Sequence, residues 1–259
     1  MKGNQGKIVV VTGGASGIGA ACAQVLSTDG YFVVVADINL DLAKQVAKRV
    51  GGVAQYLDVA ELESVESAAK TIEKDLGPVY GLINSAGILQ KPLAPHQLPM
   101  DIWDRVQRID LRGTYISCLA FGRSMLDRKT GSIVNITSIT AHRSVPLHSY
   151  APAKAAVLSM TQCLAAEWGP SKVRVNSVAP GYVLTPALAD AVHKGERNLE
   201  LIRASAPMND TVDPTQVGDA ASFLLSDRAK AITGIDLPVD QGWLAGNGWA
   251  TYGGFRSPV

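Results

Sequence analysis

The stretch SYAPAKAAV places a phenol, Tyr150, and an ammonium, Lys154, four residues apart with Pro152 between them. Residues four apart share one face of a helix. A proline is compatible with a helix only in its first turn, where its missing N–H has no partner to lose. The spacing therefore predicts a helix that starts at Tyr150 and carries both groups on one face. A free phenol titrates near ~10, too high for a base at neutral pH. A nearby ammonium favours the phenolate and moves the group toward the range used in general acid–base catalysis. Ser138 ends the apolar run SIVNITS twelve residues before Tyr150 and has a route to the same place. Alone, a strand-end serine is usually a loop residue, and a tyrosine–lysine pair at this spacing arises by chance in many helices.

A second candidate lies near the N-terminus, in TGGASGIG. Gly13, Gly17 and Gly19 follow an apolar run and precede a helical pattern. Such glycines let a backbone turn tightly against a pyrophosphate, which the helix N-terminus then attracts through free N–H groups and its dipole. The spacing is not the common G-x-G-x-x-G fingerprint, but the strand–turn–helix context is the same. The next apolar run ends at Asp37, eighteen residues beyond Gly19. A carboxylate there accepts hydrogen bonds from ribose hydroxyls and repels a 2′-phosphate, and Ser16 offers no cation to such a phosphate. Both features favour NAD over NADP. Asp37 can equally be read as the cap of the following helix. Asp58, in YLDV, is placed to meet an adenine amino group, and NSAG brings Asn84 and small residues to the cofactor path.

The elements that must position these groups are legible as an alternation. KIVVVTG, YFVVVAD, VAQYLDV, VYGLINSAG, GSIVNITS, VRVNSVAPG and GIDLPVDQG are short, continuously apolar and β-branched. Continuous rather than alternating hydrophobicity marks strands buried on both faces, as a parallel sheet covered by helices requires. Helical patterns such as IGAACAQVLSTDG lie between them. The expected fold is α/β: a single-domain, doubly wound parallel sheet of about seven strands with helices on both faces, spanning residues 1–259. In such sheets ligands sit beyond the carboxyl ends of the strands, where Ser138 lies. Residues 186–212 are charged and irregular, and read as a cover over the site or as an ordinary solvated helix pair. The tail at 243–259 is glycine-rich but carries Trp243, Trp249, Tyr252 and Phe255, which points to packing, on a neighbouring subunit or elsewhere, with a frayed terminus as the other reading.

Composition narrows the function. Among 259 residues the formal net charge is +1, so neither a nucleic-acid footprint nor an acidic tail is present. The three cysteines, Cys22, Cys118 and Cys163, are far apart in helical patterns, without metal spacing, and read as small buried hydrophobes. No metal site is expected. The apolar run at the N-terminus is too short for a signal peptide, and no segment is long enough to span a bilayer. The expectation is a cytoplasmic protein.

In TGGASGIG, LDV, NSAG, Ser138, YAPAK, RVNSVAPG and PGYVLT the chain resembles a classical short-chain dehydrogenase/reductase over essentially its full length. The resemblance implies a Rossmann-like fold and a nicotinamide-dependent oxidoreductase acting on an alcohol or ketone, usually as a dimer or tetramer. It implies that Tyr150 is the acid/base, that Lys154 holds the nicotinamide ribose and lowers the tyrosine pKa, and that Ser138 positions the substrate oxygen. Val183 and Thr185 fall near the nicotinamide amide. The expected cofactor contacts are then Gly13, Ser16, Gly17, Ile18, Gly19, Asp37, Ile38, Asp58, Val59, Asn84, Ala86, Gly87, Tyr150, Lys154, Val183 and Thr185. The helices around 103–125 and 150–168 would form a subunit interface, giving a homo-oligomer, in our expectation a homotetramer.

Three departures from the family pattern stand out. RIDLRG carries Asp110 where an asparagine is common. A carboxylate there stabilises protonated Lys154 and opposes phenolate formation, which predicts a working proton relay with a shifted pH optimum; a structural helix kink is the other reading. Ser85 replaces a second asparagine, and Gln241 a glycine; both are expected to be tolerated. Between Ser138 and Tyr150, His142, Arg143 and His148 are polar candidates for substrate contact, with Tyr182 closing the pocket. The mix favours a polyol, sugar or cyclic alcohol. The alternatives are an NADPH-dependent carbonyl or 3-oxoacyl reductase, which Asp37 disfavours, and a non-enzymatic dinucleotide sensor, which would have no need of a proton donor.

Overall fold

The computed structural model describes residues 6–246 and 248–256. The N-terminal leader reading and the tail expectation therefore fall partly outside the described residues. Seven strands form one parallel sheet in the order β3-β2-β1-β4-β5-β6-β7. They are β1 (Ile8–Thr12), β2 (Phe32–Asp37), β3 (Val53–Tyr56), β4 (Val79–Asn84), β5 (Gly131–Ile136), β6 (Val173–Pro180) and β7 (Asp236–Val239). Each arises from one of the seven apolar runs. Asp58 lies two residues beyond the end of β3, slightly past the expected boundary.

Alternate side chains of each strand enter two cores. Val10, Val34, Leu82, Ile133 and Val175 face one side. There they meet α3 (Leu62–Asp75), α5 (Thr114–Arg128) and α6 (Tyr150–Trp168) through Val65, Phe121 and Trp168. Val9, Val11, Val33, Ile83 and Val134 face the other. There they meet α1 (Gly17–Thr28), α2 (Leu40–Val50) and α9 (Pro214–Leu225) through Leu26, Val46 and Leu224. Burying an aliphatic side chain of this size contributes about 1.5–3 kcal/mol, so both faces of the sheet are held firmly. The strand order reverses between β1 and β4. At that switch point the crossovers leave in opposite directions and open a crevice at the carboxyl ends.

Two regions depart from regular helix. α4 (Met100–Val106) runs into α5 through a π-helical stretch, Gln107–Gly113, which contains Asp110. Residues 186–212 form two short helices, α7 (Pro186–His193) and α8 (Leu199–Ala204), and Val183 bridges to Val212 at the segment's end. In the tail, α10 (Trp243–Gly246) sets Trp243 edge-on to Tyr182, with ring centroids 6.5 Å apart. Phe255 packs against Gly246, whereas Tyr252 is 82% exposed. Cys22 and Cys118 are buried, and burial pushes both thiols up to about 12. Cys163 corrects the sequence reading: it lies on the outer face of α6 and is exposed. Among the described residues no helix is long and apolar enough to cross a membrane.

Candidate active site

α6 begins at Tyr150, with Pro152 in its first turn. Lys154, one turn on, is 5% exposed. Its ammonium donates to the Ile136 carbonyl at 3.0 Å, lies 3.3 Å from Asp110 Oδ2, and sits 5.3 Å from the centre of the Tyr150 ring. Ser138 stands two residues past β5, and its hydroxyl caps a short 3₁₀ turn by accepting from Thr140 N at 3.1 Å. It also lies close enough to Tyr150 to lower the phenol's pKa. The structure thus brings together Ser138, Tyr150, Lys154 and Asp110 at the carboxyl end of the sheet.

Asp110, in the π-helical stretch, is fully buried, and its carboxylate meets the loop after β4 and Lys154 on α6. Oδ1 accepts from Ile88 N at 2.9 Å. Gly87 leaves the room for this, since a Cβ there would stand 2.8 Å from Asp110 Oδ2. Burial raises the Asp110 pKa, against the lowering by Lys154. Lys154 is itself held above its ordinary value: burial works to lower it, but Tyr150 and Asp110 together raise it. An ion pair this buried is stable only when both partners are matched.

Lys154 acts on Tyr150 in the expected direction, yet it does not set the net shift. The Tyr150 pKa is raised above its ordinary value, not lowered. Burial is the largest cause; Lys154 lowers it as expected, Asp110 raises it, and the bond to Ser138 lowers it. The chain's own cation is therefore outweighed by desolvation and by the carboxylate behind it.

The glycine turn lies across the crevice. Gly13 has φ +63°, and a Cβ on it would come 2.7 Å from the backbone of Ala86, so the turn and the NSAG strand end are in direct contact. Gly17, at φ +51°, faces Thr185 Cγ2 at 3.5 Å, measured from where its Cβ would stand. Ser16 is exposed and leaves the start of α1 without a side-chain cap, so the helix's first N–H groups stay available. Asp37 does two jobs in the chain: Oδ2 accepts from Ala15 N at 3.0 Å and Oδ1 from Asn39 N at 2.8 Å. Asn39, not Asp37, caps α2. An ionised carboxylate has about four acceptor sites, so about two remain for ribose hydroxyls. Asp58 Oδ1 accepts from Ala60 N at 2.9 Å. A glycine cradle, uncapped helix N–H groups and a strand-end carboxylate fit a dinucleotide. Among the described residues no cluster of metal-ligating side chains is present.

The remaining expected contacts divide. Ile38 is 61% exposed beside Asp37, Gly87 is exposed, and Thr185 caps α7 while facing the glycine turn. Ile18, Val59 and Val183 pack in or against the cores below the crevice. Asn84 corrects the sequence reading: its side chain is directed into the core, donating to Asn135 Oδ1 at 2.9 Å, and Asn135 donates on to Thr161 on α6 at 2.9 Å. His142 is not free for a substrate. Its Nε2 lies 2.6 Å from Asp236 Oδ2 on β7, and Thr137 donates to the other oxygen of that carboxylate. Arg143 is exposed and donates to the His142 carbonyl; His148 is half-buried. Tyr182 stays near the crevice, flanked by Trp243 and by the Arg197 guanidinium 5.5 Å from its ring centre. Gln241 adopts φ +56°, which explains why a glycine suits that position, and its amide donates to Thr211 O. Sequence reasoning missed Gln90 and Gln107, which hold the first residues of α6 from other parts of the chain.

The sequence profile of a family described as enoyl-(acyl carrier protein) reductase matches residues 13–244. The D-threitol dehydrogenase of Mycolicibacterium smegmatis is 37% identical over 92% of this chain and 93% of its own. The NAD-dependent glycerol dehydrogenase of Listeria innocua is 36% identical over the same shares, 92% and 93%. A crystal structure described as ribose-5-phosphate isomerase, from Brucella melitensis 16M, is 49% identical and superimposes with a TM-score of 0.96 over 98% of each chain.

Proposed function

The chain belongs to the classical short-chain dehydrogenase/reductase family, and on that premise we propose that it interconverts a secondary alcohol and its ketone with NAD. A polyol, sugar or cyclic alcohol is the favoured substrate. One observation carries this reading: the buried ammonium of Lys154 sits between Asp110, the Ile136 carbonyl and the Tyr150 ring, at the crevice where the glycine turn also opens. A binding module or dinucleotide sensor has no need of a buried cation beside a phenol.

When bound, NAD supplies acceptance of a hydride from the alcohol carbon, and the reduced form returns it. The chain's own residues supply the rest. Ser138 holds the substrate oxygen, and Tyr150 Oη takes the hydroxyl proton during oxidation and returns it during reduction. Lys154 stabilises the phenolate form that accepts this proton and would reach the nicotinamide ribose. Asp110 fixes Lys154 and opposes phenolate formation through its charge, which places the pH optimum for oxidation on the alkaline side. NAD is preferred over NADP because Asp37 faces the adenosine ribose with a negative charge. Relatives named for D-threitol and glycerol support the polyol class. Residues 186–212 act as a cover over the substrate. Exposed Tyr115 and Leu119 on α5 support a homo-oligomer, for which we favour a cytoplasmic tetramer.

The test is a panel of D-threitol, glycerol, galactitol, simple sugars and cyclic diols, each with NAD and with NADP, followed at the absorbance of reduced nicotinamide. NAD-dependent oxidation of at least one polyol is expected. Conversion of ribose 5-phosphate to its ketose without any dinucleotide, and no oxidation across the panel, would instead assign the chain to the isomerase chemistry for which its 49%-identical structural relative is named.

A further inference from the structure

A helix leaves its first N–H groups without partners, and a side chain at the N-cap normally accepts from them. α6 lacks that device: Ser149 holds the cap position but makes no side-chain cap. Its place is taken from sixty residues away. Gln90, 4% exposed, lies in the loop after β4, and its Oε1 accepts from the backbone N–H of Ser149, the Ser149 hydroxyl, and Tyr150 N at 3.2 Å. The Ser149 carbonyl is fixed as well, by Gln107 Nε2 at 2.8 Å from the π-helical stretch.

The loop that carries Gln90 is tied at neighbouring points. Ile88 N donates to Asp110, the partner of Lys154, and Lys91 pairs with Glu196 of residues 186–212 at 3.2 Å. One short segment, 88–91, thus touches the ion pair behind Tyr150, the backbone of Tyr150 itself, and the covering segment.

Resting on the oxidoreductase reading, we propose that Gln90 is a positioning residue: its amide oxygen caps α6 from outside and so sets where the Tyr150 hydroxyl stands relative to Ser138 and Lys154. It does not touch the reacting atoms. Its effect is on alignment, and a misplacement on the order of 1 Å can cost as much as about a hundredfold in rate. An amide is suited to the task because it accepts without bringing a second negative charge near the phenol.

Two variants test this, with D-threitol and NAD as the probe pair, or the fastest member of the polyol panel. Gln90→Met keeps the length and removes the acceptor. It is expected to lower kcat roughly tenfold or more, with NAD affinity by fluorescence titration within about twofold of the parent. Gln90→Glu keeps the acceptor and adds charge. It is expected to turn over faster than Gln90→Met at high pH, with the alkaline rise of its pH–rate profile displaced upward. Folded Gln90→Met enzyme with parental kcat, or equal kcat losses in both variants, would overturn the proposal. If Gln90→Met does not fold, Gln90→Glu decides alone: an unshifted profile overturns it and a shifted one supports it. Tyr150→Phe runs beside them. If that variant is active the functional reading fails; if it is inactive while Gln90→Met is fully active, only the role of Gln90 fails.

Discussion

At the amino ends of the strands, Arg174 on β6 donates its guanidinium to the carbonyls of Leu224, Leu225, Ser226 and Ile232. Arg128 nearby donates to Val79 O and Ser124 and pairs with Glu73. Lys7 pairs with Asp227 and lies over the Tyr80 ring. A cavity of about 960 Å³ opens among these groups, yet its principal cations are already committed to partners inside the chain. At the carboxyl ends of the same strands the polar groups keep spare capacity. Thr140 Oγ1 and Asn84 Oδ1 are buried without a hydrogen-bond partner, Asp37 retains acceptor positions, and the N–H groups opening α1 are uncapped. Both ends carry charge, half-buried or exposed at the amino ends and deeply buried around Lys154 and Asp110. At one end the cations are occupied by carbonyls and carboxylates of the fold and hold it together; at the other the polar groups are matched only in part and are available for chemistry. Burial and charge alone do not mark a site, whereas incomplete satisfaction does.

Substitutions at the two ends should therefore separate activity from stability. The largest effect is expected for Lys154→Met. Turnover should fall by about 10²–10⁴-fold, and Asp110 is left as a buried carboxylate without its cation, a loss of roughly 3–5 kcal/mol. Because that carboxyl then has a still higher folded-state pKa, the destabilisation should grow as pH rises through it, and thermal unfolding across a pH series checks this. Next is Arg174→Leu, which orphans several buried carbonyls at the other end. It should cost about 1–3 kcal/mol in denaturant unfolding and leave kcat unchanged. A change in kcat there would break the contrast. Asp37→Ala should raise KM for NAD about tenfold and narrow the preference over NADP, since it removes both the ribose acceptor and the Ala15 N partner. The smallest is Asp110→Asn. It removes the charge that raises the Tyr150 pKa, so the rising limb for alcohol oxidation should move to lower pH, by under about one unit. An active variant with an unmoved limb would remove Asp110 from the electrostatic account.

Much of this was legible in the sequence because it is local. Seven continuous apolar runs, a glycine turn between strand and helix, and a phenol four residues before an ammonium each declare themselves within a dozen residues. What stayed hidden depends on distance. Gln90 reaches Tyr150 across 60 residues, and Asn84 reaches Asn135 across 51, so no periodicity carries either bond. The π-helical stretch around Asp110 is invisible in RIDLRG, because nothing in those six residues shows that the segment will pack against α6, far along the chain. Cys163 looked apolar by type, and only the placement of α6 decides that it faces outward. The net direction of the Tyr150 shift is hidden for a related reason: the sequence shows the cation but not the desolvation and the Asp110 charge that together outweigh it.

The most direct test is Tyr150→Phe, assayed for NAD binding and for polyol oxidation in the same preparation. If one phenolic hydroxyl, held by a buried ammonium, carries the proton, this variant binds the dinucleotide as the parent does and is inactive at every pH. Turnover within about tenfold of the parent would contradict the account.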